Sequence, residues 1–342
     1  MQRLTRSLAA IVSIFTVSGA AIAQDLMDLH LPVVPRTAEE VDRIADIVVP
    51  TTDFTKAERF EANQAGAATV RLRNTRNAFS EPSGNVSFER ELDFKVGNGL
   101  FKKLWVSSPS STLASDGLGP LFNARSCQRC HLKDGRGHPP EGPSDGRVSM
   151  VVRLSIPGGE DIAEIEEWLS SQPEPTYGSQ LQDLTVAGHP SEGRLEVDYT
   201  EEVIALSDGE TVSLRRPSYS ISNLGYGPLH PEAVLSARVA PQMIGLGFLD
   251  AIPASDILAN ADPDDADGDG ISGRAQIVMS RDYAVPMLGR FGLKAGQPSV
   301  WEQSAAAFSG DIGISSTLFP AGYGDCTAAQ DRWRSAPDGN TS

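Results

Sequence analysis

The feature that most constrains this chain is five residues long. Cys127, Gln128, Arg129, Cys130 and His131 read C-x-x-C-H. At this spacing two thiols reach the two vinyl groups of one porphyrin, and the histidine that follows supplies an axial nitrogen to the iron. With 3 cysteines and 5 histidines in 342 residues, random placement yields such a pentad in roughly a few chains in ten thousand. A thioredoxin-like dithiol would need the pair beside a βαβ pattern, which is not legible there. A zinc site would need two more ligands at close spacing, and only His138 lies near. The pentad therefore predicts one covalently held haem c, with Cys127 and Cys130 as attachment points and His131 as proximal ligand to the iron.

The N-terminus points to export. Arg3 and Arg6 precede an apolar run from Leu8 to Val17, and Ala21-Ile22-Ala23 fits a small-x-small cleavage pattern, so residues 1–23 read as a signal peptide. The apolar run is short for a span of about 20 residues, and no stable membrane insertion is expected after cleavage. A periplasmic location agrees with the pentad, since c-type haem is attached outside the bacterial cytoplasm. The net charge of −16 becomes about −18 once Arg3 and Arg6 are removed, which argues against nucleic acid as a partner and suits a soluble exported protein. Some 319 mature residues exceed a minimal haem module about threefold, so the chain encodes more than a simple electron shuttle. Cys326 stands alone once two cysteines are committed, as a buried thiol or one whose partner is missing.

Along the chain, residues 24–85 read as an N-terminal extension with a helical stretch from Thr37 to Val48. Residues 86–342 read as a cytochrome c-like haem region, opened by a helix running to Trp105. A small β-containing insertion is expected at about 146–215, with a strand from Val148 to Ile156, a short acidic helix from Asp161 to Leu169, and a hairpin in which Val203–Leu206 and Thr211–Leu214 flank Asp208-Gly209. The expected fold class is mainly α, a cytochrome c-like haem domain with that inserted β segment.

Two further features bear on chemistry. In the Asp-rich loop 262–273, Asp265, Asp267 and Asp269 with Gly270 repeat the D-x-D-x-D-G start of a calcium loop. Gln276 stands where an EF-hand places glutamate, so the expected Ca2+ ligands are the three aspartates and the Ile271 carbonyl, the alternative being a solvated acidic turn. For the sixth position on iron the candidates are Met243, before Gly245-Leu246-Gly247, and His230, in Gly227-Pro228-Leu229-His230-Pro231. An open site is the third option. Arg136 is a candidate contact to a haem propionate.

Several segments together resemble the bacterial dihaem oxidoreductases, a peroxidase-like family also labelled thiol oxidoreductases. They are Gly97-Asn98-Gly99-Leu100-Phe101, Asp116 to Arg125 leading into the pentad, Asp134-Gly135-Arg136-Gly137, Ala240 to Gly247, the 262–273 loop, Gln303-Ser304-Ala305 and Gly310-Asp311-Ile312-Gly313. The resemblance implies an oxidoreductase fed by a small redox protein or a quinone-linked donor or acceptor. Family members carry a second C-x-x-C-H in a C-terminal domain, and this sequence has one pentad, so the expectation is a relative lacking the second-haem domain. The alternative is a non-enzymatic haem-binding electron-transfer protein that has lost peroxidase turnover. No catalytic residue is assigned from the sequence.

Overall fold

The computed structural model describes residues 28–31, 36–58, 61–70, 76–142, 145–146, 149–158 and 172–336. The expected signal peptide at 1–23 and the acidic helix at 161–169 lie outside the described residues. Among those described, no helix is long and apolar enough to cross a membrane.

The expectation of a mainly α fold is overturned: the chain is 26% helical and 20% strand. The described strands form four two-stranded antiparallel sheets. The two longest helices among the described residues contribute nothing to the buried core. Helix α1 (Ala38–Val48) starts at a capping box in which Thr37 and Glu40 exchange hydrogen bonds, and it has no buried residue. Helix α2 (Phe88–Lys102) is capped by Ser87 and also buries none. Its apolar column Phe88, Leu92, Val96 and Leu100 remains exposed. The periodicity that marks these helices is genuine, but it does not make them a core.

The core is carried largely by strands and the loops between them. Strand β2 (Met150–Ser155) pairs with β6 (Val234–Val239), Met150 opposite Val239 and Ser155 opposite Val234. Val152 and Leu154 of β2 are buried with Tyr177 and Leu181, and Leu195, Ile221, Leu229 and Leu235 pack against them. Strands β4 (Arg194–Ala205) and β5 (Thr211–Ser222) form a twelve-residue hairpin. The expected hairpin is thus only the tip of the observed one, and strand structure continues past residue 215. Glutamates and arginines along both strands obscure the alternation, and Pro217 is tolerated opposite Tyr199 because each strand is an edge. A third unit joins β7 (Ile277–Met279) to β8 (Pro286–Leu288), with Ile277 and Leu288 buried against Ala254 of the short helix Ala254–Leu258.

The segment around the pentad has its own small core of Leu118, Phe122 and Ile312, against which Trp105, Cys127, Val186 and Phe308 pack. Leu121 and Phe122 form β1, paired with β3 (Leu184–Thr185). Ile312 ends a π-helical turn, Phe308–Ile312, that follows the helix Val300–Ala307. The turn reaches Gly119, Asn123 and Ala124 through the carbonyls of Ile312 and Asp311. A Cβ on Gly119 would lie 2.6 Å from the Cα of Gly313, so only glycine permits this approach.

Candidate functional site

The pentad folds as a single helical turn, Cys127–Cys130, after Ser126 in extended conformation. The His131 N–H donates to the Cys127 carbonyl at 2.9 Å. His131 then leaves helical geometry at φ −100° and ψ 71°. Both thiols are half-buried and outside any disulfide. Burial, and then the Asp311 carboxylate, push Cys127 up to about 11. The same causes, with Asp183 added, push Cys130 up to about 12. Redox-active C-x-x-C pairs depend on a depressed thiol pKa, so these neutral thiols are poor dithiol-exchange nucleophiles.

The imidazole of His131 is oriented from behind. Its Nδ1 lies 2.6 Å from the Pro241 carbonyl oxygen. A carbonyl only accepts, so Nδ1 carries a proton, and in the neutral ring Nε2 is then the nitrogen with a lone pair for a metal. The Phe101 ring stands 6.1 Å from the imidazole at 49°. The loop after the pentad and the Ala240–Met243 segment are bound together: Gly137 N–H donates to the Ala240 carbonyl, and Met243 N–H donates to the Asp134 carbonyl, each at 2.9 Å. Gly137 has no room for a side chain, because a Cβ would meet Cys130 O at 2.9 Å and Ser149 Cβ at 2.5 Å.

On the thiol side lies a polar network. Asn123 Nδ2 donates to Leu181 O at 2.7 Å and to Asp183 Oδ1 at 3.0 Å. Gln180 Nε2 donates to Asn123 Oδ1 at 2.6 Å and to Asp311 Oδ1 at 2.7 Å. Burial pushes the Asp183 carboxyl up to about 6 against the pull of the Asn123 hydrogen bond, although the residue as a whole keeps some exposure.

The other expected residues fall in several places. Arg136 is exposed on the loop after the pentad. Met243 is half-buried, two residues beyond the carbonyl that holds His131. His230 lies elsewhere, its N–H bound to Glu174 Oε1 at 2.7 Å and its Nδ1 accepting from Glu232 N–H at 3.2 Å. In the Asp-rich loop, Asp262 and Gly273 exchange two backbone hydrogen bonds of 2.8 Å. The carboxylates that converge are Asp262, Asp265 and Asp267, with ligand atoms within 4.8 Å of one another. Asp269 faces Ile271 N–H at 2.8 Å, so Asp262 replaces it in the cluster, and the Ile271 side chain is exposed. Cys326 is a buried free thiol, pushed up to about 12 by burial and by Glu192 and Asp325.

The sequence reading missed Asn98, Asp134, Gln180, Asp183 and Asp311 as parts of the site. Asn98, Asp134 and Asp311 sit inside segments that carry the resemblance, which is a usable signal. Gln180 and Asp183 have no sequence signal at all.

Comparison with known proteins returns one family. A family model described as "Di-haem oxidoreductase, putative peroxidase" matches residues 59–336. No curated protein and no solved structure matches the chain.

Proposed function

The chain belongs to the di-haem oxidoreductase family, and from that premise we propose that it is an exported c-type haem oxidoreductase of the peroxidase-like class. Cys127 and Cys130 hold one haem by thioether bonds, and His131 binds its iron through Nε2. The observation that carries this reading is the His131–Pro241 hydrogen bond: a ring fixed through Nδ1 is a ligand prepared to present Nε2. The neutral, half-buried thiols fit covalent attachment better than dithiol redox chemistry. When bound, haem iron supplies one-electron redox chemistry and a place for peroxide to react.

The protein's own groups have separable tasks. Phe101 and the Pro241 carbonyl orient the imidazole. Asn123, Gln180, Asp183 and Asp311 fix the polar wall beside the thiols and leave a carboxyl able to hold a proton near neutral pH. The N-terminal leader pattern supports a periplasmic location, where a small redox protein or a quinone-linked donor supplies electrons. Calcium, if taken, is held by Asp262, Asp265 and Asp267; a rise in Tm on adding calcium supports this, and an unmoved Tm removes it.

The test is the optical spectrum of protein made in a host that attaches c-type haem, with a Cys127→Ala, Cys130→Ala double variant beside it. Covalent haem in the first and none in the second supports the attachment. A ferric spectrum that changes with peroxide supports the enzyme. A low-spin spectrum indifferent to peroxide supports the alternative, an electron-transfer protein without turnover. Absence of haem sinks both.

A further inference from the structure

Asp134 is bound into more of the site than any other residue of the loop after the pentad. It is buried and held at φ 60°, a region that few side chains occupy. Such a conformation persists where surrounding contacts over-determine it. Those contacts are present. The Asp134 carboxylate accepts from the Ser80 hydroxyl and from Asn98 Nδ2, at 3.2 Å to one oxygen and 3.4 Å to the other. The backbone N–H donates to the His131 carbonyl at 3.1 Å, and the backbone carbonyl accepts from Met243 N–H at 2.9 Å. One residue thus joins the turn Ala78–Ser80, helix α2, the pentad and the Ala240–Met243 segment.

That last connection reaches the iron ligand by a second route. Pro241 lies two residues before Met243, and its carbonyl accepts the Nδ1–H of His131. Gly137 and Ser149 tie the other end of the segment, through Ala240 O at 2.9 Å and Ala240 N at 3.0 Å. Pro241 itself has no N–H with which to be anchored. The position of its carbonyl is therefore set by the residues on either side, and on the C-terminal side the anchor is Asp134.

We propose that Asp134 is the positioning residue of the iron ligand: it anchors the Ala240–Met243 segment so that the Pro241 carbonyl holds His131 as the Nδ1–H tautomer and strengthens Nε2 as a donor. The inference rests on the reading of the pentad as a haem site. A hydrogen bond from the outer nitrogen to a carbonyl raises the basicity of a ligating histidine. The stronger donor favours the ferric over the ferrous state. Loosening the anchor weakens the bond and shifts the balance toward the ferrous state.

The experiment uses the full chain produced with covalent haem, as wild type, Asp134→Asn and Asn98→Ala, titrated between ferric and ferrous forms while the spectrum is followed. Haem staining of the wild type on a denaturing gel comes first, and its absence there removes the parent reading whatever Asp134 does. With haem attached, Asp134→Asn is expected to shift the reduction equilibrium about tenfold toward the ferrous form, 59 mV for one electron. Asn98→Ala, at a half-buried position with one tie to Asp134, is expected to shift it in the same direction by less. Asp134→Asn also removes a carboxylate beside the site, which by itself favours the ferrous form, so Asn98→Ala, which removes none, is the deciding variant: a purely structural Asp134 would let it change stability and leave the potential of the attached haem alone. Unchanged potentials, or shifts toward the ferric form, overturn the proposal. If Asp134→Asn does not fold, Asn98→Ala decides alone.

Discussion

Replacing Glu192 by glutamine should change how stability depends on pH. Glu192 is fully enclosed. Its Oε2 accepts from Gln182 N–H at 2.5 Å and its Oε1 from the Gln330 amide. Burial pushes its carboxyl up from 4.5 to about 8, the two hydrogen bonds pull the other way, and Asp325 and Glu174 add like charge. The folded chain thus holds this proton more tightly than the unfolded chain. Stability is undiminished below the unfolded value near 4.5, falls as pH rises toward 8, and levels off above it. A displacement of this size corresponds to at most about 5 kcal/mol. Glutamine does not titrate, but it gives up one acceptor. Gln330 cannot compensate by turning its amide, because its Oε1 already accepts from Thr327 N–H at 2.7 Å. That loss costs about 1–3 kcal/mol at every pH. Glu192→Gln should therefore be the less stable protein at pH 5 and should equal or exceed wild type by pH 8.5. Urea unfolding midpoints at fixed ionic strength across this range provide the test. The difference between the two proteins cancels the titration of Asp183, which burial also raises; Asp325 shares like charge with Glu192, so the difference reads the pair and not Glu192 alone. Two parallel curves would refute the reasoning.

Other perturbations follow from the same contacts. Asp28→Ala removes the carboxylate 2.6 Å from Nη2 of Arg290, whose side chain is 2% exposed, and leaves it the Ile252 carbonyl and the more distant Asp250 charge; a loss of about 2–4 kcal/mol is expected in denaturant unfolding, and a loss below about 1 kcal/mol would mean that those remaining groups compensate. Tyr177→Phe removes a hydroxyl that donates to Gly227 O at 2.5 Å and accepts from Tyr226 N–H at 3.2 Å, which should cost about 1–3 kcal/mol and show as a lower unfolding midpoint. Met243→Leu should leave the spin state of the ferric haem unchanged, because the segment carrying Met243 backs the Nδ1 edge of His131, away from Nε2; conversion from low to high spin would instead mark Met243 as an iron ligand.

What the sequence made legible was local. The helix expected between Thr37 and Val48 is present as Ala38–Val48, and its start is written in Thr37 and Glu40, three residues apart. Asp208-Gly209 marks the tip of the long hairpin, where Asp208 Oδ1 accepts from Glu210 N–H at 3.1 Å. The body of that hairpin was obscured because Glu196, Asp198, Glu201, Glu202, Arg215 and Arg216 place charge along strands with little core to cover. The mainly α expectation failed for a related reason: helix α2 buries none of its own side chains, although Asn98 and Phe101 on it reach Asp134 and His131, while the buried side chains come largely from short strands and the turns after them. The pentad was visible because its residues are consecutive. Its supports were not, since Pro241 is 110 residues from His131 and Asp311 is 131 residues from Gln180. In the Asp-rich loop the backbone pairing of Asp262 with Gly273 sets Asp262 beside Asp265 and Asp267, a convergence that the D-x-D-x-D spacing by itself does not announce.

The distance between His131 and Pro241 along the chain also sets an order in time. A polypeptide is made from its N-terminus, so Cys127, Cys130 and His131 exist before the Ala240–Met243 segment and well before the π-helical turn at Phe308–Ile312. While those segments are still to come, the thiols have neither the burial nor the neighbouring Asp311 that raises their pKa in the finished fold. Closing loops of this length is slow compared with forming a single helical turn. The cysteines therefore pass through a period of exposure in which they are more ionised and more accessible than they will be afterwards, and the docking of the later segments brings that period to an end.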